Sequence, residues 1–92
     1  MLVLHYLNWA GTADEFKEFA SRLKSQVSGM EGVSLSGIFI PTSEWHYVVV
    51  WDVTMYEKVL QMYKTYSEKY GPLKISLGKI ELFHKLEEIP FL

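Results

Sequence analysis

One pattern constrains this chain more than any other, because it occurs twice. An apolar run, Leu2 to Trp9, leads into Thr12-Ala13-Asp14-Glu15 and then into apolar residues at helical spacing. A second apolar run, Trp45 to Val53, leads into Thr54-Met55-Tyr56-Glu57 and again into a helical pattern. Each Thr-x-x-Glu reads as a capping box, in which threonine hydroxyl and glutamate carboxylate satisfy each other's backbone N–H groups at a helix start. Two strand–helix units of the same design must therefore share one small core.

The remaining elements follow from periodicity. In the first helix Phe16, Phe19, Ala20, Leu23 and Val27 share one side, while Lys17, Glu18, Arg22 and Lys24 fall on the other. Ser28-Gly29 should end it, with glycine supplying the left-handed cap. In the second helix, Thr54 to Tyr70, the apolar side holds Tyr56, Val59, Leu60, Tyr63 and Tyr70, and Gly71-Pro72 stops it. Val33 to Pro41 reads as a strand, Pro41 to Glu44 as a turn, and Trp45 to Val53 as the strongest strand, buried on both faces around Val48-Val49-Val50. A last strand lies within Leu73 to Leu86, with Gly78 marking a bulge. The tail from Glu87 ends in the apolar residues Ile89, Pro90, Phe91 and Leu92.

The order is β-α-β-β-α-β with short connections, which is the ferredoxin-like plan of the α+β class. Right-handed crossovers give a four-stranded antiparallel sheet with two helices on one face. Those helices cover one face only. Pairing Ile40 with Trp45 across the turn sets Ile38, Ile40, Trp45, Tyr47, Val49, Trp51 and Val53 on one face. The other face then holds Val33, Leu35, Phe39, Val48 and Val50, with His46 and Asp52 at its ends. Both faces are apolar, so the uncovered one is expected to meet a second copy of the chain or a ligand.

Composition sets the limits. With 92 residues the chain is read as a single domain, 1–92. A domain of this size hides only about 60–65% of its unfolded surface. There is no cysteine, hence no disulfide and no thiolate metal site to add stability. Hydrophobic residues make up 49% and aromatics 15%, a heavy apolar load for so small a fold. Net charge is −2, and eight lysines and the single Arg22 are scattered among acids rather than gathered in a stripe. No nucleic-acid partner is expected, because phosphate neutralisation needs a basic surface. No stretch approaches the roughly 20 apolar residues of a membrane span. The apolar start lacks a basic region and a cleavage site, so the cytoplasm is the expected compartment.

Element order, size, two apolar sheet faces and a long last strand ending Phe83-His84-Lys85-Leu86 together resemble the dimeric α+β barrel superfamily. That resemblance implies a homodimer, or a higher oligomer, in which ferredoxin-like protomers set their open sheet faces together to form a barrel. It also implies a pocket either in the cleft between sheet and helices or in the barrel interior. The superfamily includes small isomerases, cofactor-free monooxygenases and haem-degrading enzymes. Its haem-degrading and quinone-forming monooxygenases place an asparagine near the end of the first strand, which Asn8 matches. They add a tryptophan and a histidine on the second helix, and here Thr54 to Tyr70 contains neither, which speaks against haem and that oxygenase chemistry.

His5, His46 and His84 all fall in predicted strands, and none stands in an HxxH or H-E-x-x-H pattern. No metal and no cofactor is expected. No nucleophile elbow and no phosphate-binding glycine loop is present. The polar-tipped residues expected to converge on a ligand are Tyr6 and Asn8 on the first strand, His46, and Tyr63 and Tyr66 on the second helix. Asn8 or His46 would handle a proton if there is chemistry. The many aromatics serve core and dimer contacts in the plainer reading, and the walls of a pocket in the functional one.

The expected function is that of a homodimeric protein binding a small apolar or aromatic molecule. The alternatives are a cofactor-independent monooxygenase or isomerase, and a structural or regulatory interaction module with no ligand.

Overall fold

The computed structural model describes residues 1–70 and 74–84, and at positions 62, 63, 65–67, 69, 70, 76 and 77 the backbone alone. Its elements are β1 (Leu2–Trp9), α1 (Ala13–Val27), β2 (Val33–Phe39), β3 (Tyr47–Val53), α2 (Tyr56–Tyr70) and β4 (Ile75–Phe83). The strands form one four-stranded sheet in the order β2-β3-β1-β4, and every neighbouring pair is antiparallel. The chain is thus an α+β domain. The expected helix stop at Gly71-Pro72 and the apolar tail at Ile89 to Leu92 lie outside the described residues.

Helix α1 starts and stops as its sequence dictates. The Thr12 hydroxyl accepts from the Glu15 N–H at 3.2 Å, and the Glu15 carboxylate accepts from the Thr12 N–H at 3.1 Å. Past the Ser28 cap, Gly29 takes φ +87°, the left-handed conformation that a side chain resists. Phe16, Phe19, Leu23 and Val27 are buried and Ala20 is half-buried, while Lys17, Glu18, Arg22 and Lys24 face solvent.

The second capping box is not made. Helix α2 begins at Tyr56, and both the N–H and the hydroxyl of Thr54 donate to the Gly32 carbonyl, at 2.8 and 3.4 Å. The threonine is therefore used to tie the end of β3 to the turn before β2. On α2, Val59 is fully buried and Tyr56 half-buried, but Leu60 is exposed rather than part of the apolar side.

Alternation along β1 buries Val3, His5, Leu7 and Trp9. Opposite Val3 and His5 on the same face stand Trp51 and Val49 of β3. Phe19 of α1 and Val59 of α2 join these residues in one core cluster. Full burial of a side chain such as Trp51 or Phe19 contributes roughly 1.5–3 kcal/mol.

Strand β2 departs from simple alternation. Leu35 pairs with Trp51 and Gly37 with Val50, so Ser36 is an extra residue in the ladder. This bulge shifts the parity, and Val33 and Leu35 lie on the same face as Ile38 instead of the opposite one. A second bulge falls at Gly78, because Tyr6 pairs with Lys79 and Leu7 with Leu77. There a Cβ would collide with the indole of Trp45, so close ring contact requires the glycine.

The open sheet face carries Leu2, Leu4, Tyr6 and Asn8 of β1, Val48 and Val50 of β3, and Phe39 of β2. It is apolar over β2 and β3, where Phe39 is 56% exposed. On β4 it carries the exposed Phe83 beside the polar Lys79 and Glu81. Lys79 pairs with Glu81 at 3.1 Å and sits 5.4 Å above the Tyr6 ring. No helix among the described residues is long and apolar enough to cross a membrane.

Candidate functional site

The site is built where β1 ends and β3 begins. The regular ladder stops at the Leu7–Tyr47 pair. Beyond it side chains join the main chain in holding the strands. His46, expected in a strand, lies in the segment just before β3. Its backbone N–H donates to the Leu7 carbonyl and to the Asn8 side-chain oxygen, each at 3.1 Å. Its ring nitrogen Nδ1 accepts from the backbone N–H of Trp9 at 2.9 Å. Asn8 and His46 thus form a clasp that extends the β1–β3 pairing past its last main-chain bond.

Trp9 closes the core side of the clasp. Its indole N–H donates to the Thr12 carbonyl at 2.8 Å, and its ring stacks on Phe19 with centroids 5.6 Å apart. Phe16 in turn stacks on Tyr47, with centroids 3.6 Å apart and planes within 8°. Trp45 folds the other way, onto Gly78 of β4.

Between these rings and the β2–β3 loop lies an open cleft of about 400 Å³. It is lined by Trp9, Gly11, Ile40, Pro41, Ser43, Trp45, His46 and Tyr47. None of these side chains carries a fixed charge. The Glu15 carboxylate approaches Gly11. The Lys74 ammonium beside it, with the N–H and hydroxyl of Thr12, holds Glu15 down to about 2.

Of the residues expected to converge, Asn8 and His46 do meet. Tyr6 does not join them. It stands on the open sheet face, where a hydrogen bond with Glu81 raises its pKa and, with Lys79, lowers that of Glu81. The side chains of Tyr63 and Tyr66 lie outside the described residues. His5 is fully buried against Trp51 and Tyr56, with ring centroids 6.5 and 6.3 Å away. Burial pushes its pKa down to about 4. Burial also raises that of Tyr56. Among the described residues no three His, Cys, Asp or Glu side chains come together as a metal site would need.

Sequence reasoning counted Trp9, Trp45 and Tyr47 among the aromatics that would wall a pocket in its functional reading, but missed Gly11, Ile40, Pro41 and Ser43. A signal was present, since Ile40 and Trp45 flank a turn and a turn leaves its apolar residues little to pack against.

The hydrogen-bond pattern fixes what His46 can do. A neutral imidazole that accepts at Nδ1 carries its hydrogen on Nε2. Nε2–H makes no hydrogen bond to any described residue. The ring is therefore built as a donor, not as a base with a free lone pair. No family model, curated protein or solved structure matches this chain.

Proposed function

We propose that this protein is a homodimer that binds a small apolar or aromatic molecule. The observation that carries the reading is the aromatic-walled cleft of about 400 Å³ with one neutral imidazole in its lining. Small-molecule pockets are typically about 300–1,000 Å³, mostly apolar, with a few placed polar groups. The cleft at the end of the sheet is preferred to the sheet–helix cleft as the ligand site because it brings the His46 imidazole together with aromatic walls. Binding is favoured over catalysis by a cofactor-independent monooxygenase or isomerase. His46 spends its lone pair on Trp9, and proton abstraction would need that lone pair.

The dimer rests on the open sheet face. Leu2, Leu4 and Val50 remain partly exposed there and Phe39 and Phe83 are exposed, which makes an apolar surface on one face of the sheet. The strand order β2-β3-β1-β4 is that of a ferredoxin-like protomer. Two such faces set together would close an α+β barrel and bury about 1,600 Å², the standard size of a stable interface.

The test is a thermal-shift screen with uncharged bicyclic aromatics on the wild type and on Ile40→Asp. Ile40 is 80% exposed, so its replacement leaves the core intact while charging the cleft. Ligands should raise Tm in the wild type by mass action and not in the variant. An equal rise in both proteins would move the ligand elsewhere.

A further inference from the structure

Resting on that reading, we infer that the cleft selects uncharged planar aromatic molecules bearing a hydrogen-bond acceptor such as a carbonyl, and that the Nε2–H of His46 is the donor that recognises it. Three observations converge on this. The tautomer is set from within the fold, because the Trp9 N–H points at Nδ1 from 2.9 Å and leaves the ring's hydrogen on Nε2. The ring itself is held by its own backbone, whose N–H is shared between Leu7 and Asn8. The remaining lining is aromatic or aliphatic apart from Ser43, whose oxygen accepts from the Trp45 N–H at 3.4 Å.

The three features divide the work of recognition. The rings of Trp45 and Tyr47 with Pro41 and Ile40 offer apolar walls to a flat molecule. Nε2–H offers a single directed donor. No described lining side chain is a cation, and the Glu15 carboxylate beside Gly11 is paired with Lys74, so nothing among them attracts a carboxylate or phosphate ligand. Asn8 is a positioning residue: it holds the His46 backbone and need not touch the ligand.

Three probes of the same shape separate these claims: 2-acetylnaphthalene, 2-ethylnaphthalene and 2-naphthoate, each titrated calorimetrically. The ketone should bind about three- to tenfold more tightly than the hydrocarbon, the range a neutral hydrogen bond supplies. The naphthoate should bind weakest. The decisive variant is His46→Asn. Its side-chain oxygen can stand where Nδ1 stands and accept from Trp9, while its amide NH2 ends at the position of the ring's Cδ2, one bond short of Nε2–H. It should fold as the wild type does and bind the ketone and 2-ethylnaphthalene with equal affinity. Long-range ¹H–¹⁵N spectra should show His46 in the Nε2–H form. Equal binding of ketone and hydrocarbon by the wild type, an Nδ1–H tautomer, or tightest binding of the naphthoate would overturn the inference while leaving the cleft a ligand site. Failure of all three probes to bind would overturn the inference together with the proposed function.

Discussion

The backbone N–H of Trp9 donates to the imidazole Nδ1 of His46 at 2.9 Å, so a side chain stands where a continued β1–β3 ladder would offer a main-chain carbonyl. This bond joins fold and site. It terminates the pairing of two central strands, and it fixes the orientation and tautomer of the polar side chain in the cleft.

Removing that acceptor should have a measurable effect on stability. His46→Ala leaves the partly buried Trp9 N–H without its partner, and should cost about 1–2 kcal/mol. Asn8→Ala removes one of two acceptors for the His46 N–H, the other being Leu7. It should cost less, about 0.5–1 kcal/mol. Urea denaturation of both variants checks the order. Equal losses would mean that the Trp9 bond is not the stronger half of the clasp.

The core should respond quite differently from the helix surface. Phe19 is fully buried and its ring stacks on Trp9, so Phe19→Ala should destabilise by about 3–5 kcal/mol. Glu18 pairs with Arg22 at 2.6 Å, but both side chains are largely exposed. Glu18→Ala should therefore stay within about 0.5 kcal/mol. The same denaturation series reads both.

Acid should weaken the fold in two stages. Burial lowers the His5 pKa from 6.5 to about 4, so the unfolded chain binds a proton there that the folded chain refuses. Stability is then full above about pH 6.5 and falls as pH drops toward 4, by roughly 2–3 kcal/mol. Glu15, held down to about 2, contributes stability above its ordinary range near 4.5 that is lost as pH falls further toward 2. His5→Phe should flatten the first stage. Denaturant midpoints between pH 8 and pH 4 provide the measurement, and an unchanged slope in His5→Phe would remove His5 as the cause.

Gly78 offers a local test of packing. Gly78→Ala drives a methyl into the Trp45 indole. Relief requires the ring to move, at about 1–3 kcal/mol. Because Trp45 lines the cleft, aromatic ligands should lose affinity in parallel. A variant with reduced stability and intact binding would show that Trp45 is dispensable to the site.

The assembly can be broken from its open face. Phe39→Glu places a charge on the apolar half of that face, where Phe39 is already 56% exposed. The wild type should sediment as a dimer at micromolar concentration and the variant as a monomer of the same helix content. A wild type that sediments as a monomer would contradict the dimer.

Much of the fold was legible because it rests on local rules. Thr12 and Glu15 announce α1, Gly29 ends it, and the side that periodicity assigned to Phe16, Phe19, Leu23 and Val27 is the buried one. Gly78 marked its bulge. Other features depend on contacts that no local pattern encodes. Ser36 has nothing in its identity that marks a bulge, yet it moves Val33 and Leu35 to the helix-facing side. Thr54 is a good helix cap in isolation, but the Gly32 carbonyl lies within reach and takes its hydroxyl. His46 reads as a strand residue by alternation, whereas the competing bond to Trp9 draws its ring into the ladder's end. Asn8 and His46 were expected to meet as polar tips in a cleft between sheet and helices, whereas the Asn8 side chain meets the His46 backbone N–H at the end of the sheet. The cleft beside them was not foreseen, because its walls come from a loop whose path depends on where β2 and β3 stop pairing.

The most direct test of the account is a ¹H–¹⁵N correlation titration of the wild-type protein with 2-acetylnaphthalene. The account predicts saturable shifts centred on the backbone amides of Trp9, Gly11, Trp45, His46 and Tyr47 and on the indole signals of Trp9 and Trp45. Saturable shifts confined to Tyr6, Val48, Val50 and Phe39 on the open sheet face, or no shifts at saturating ligand, would contradict it.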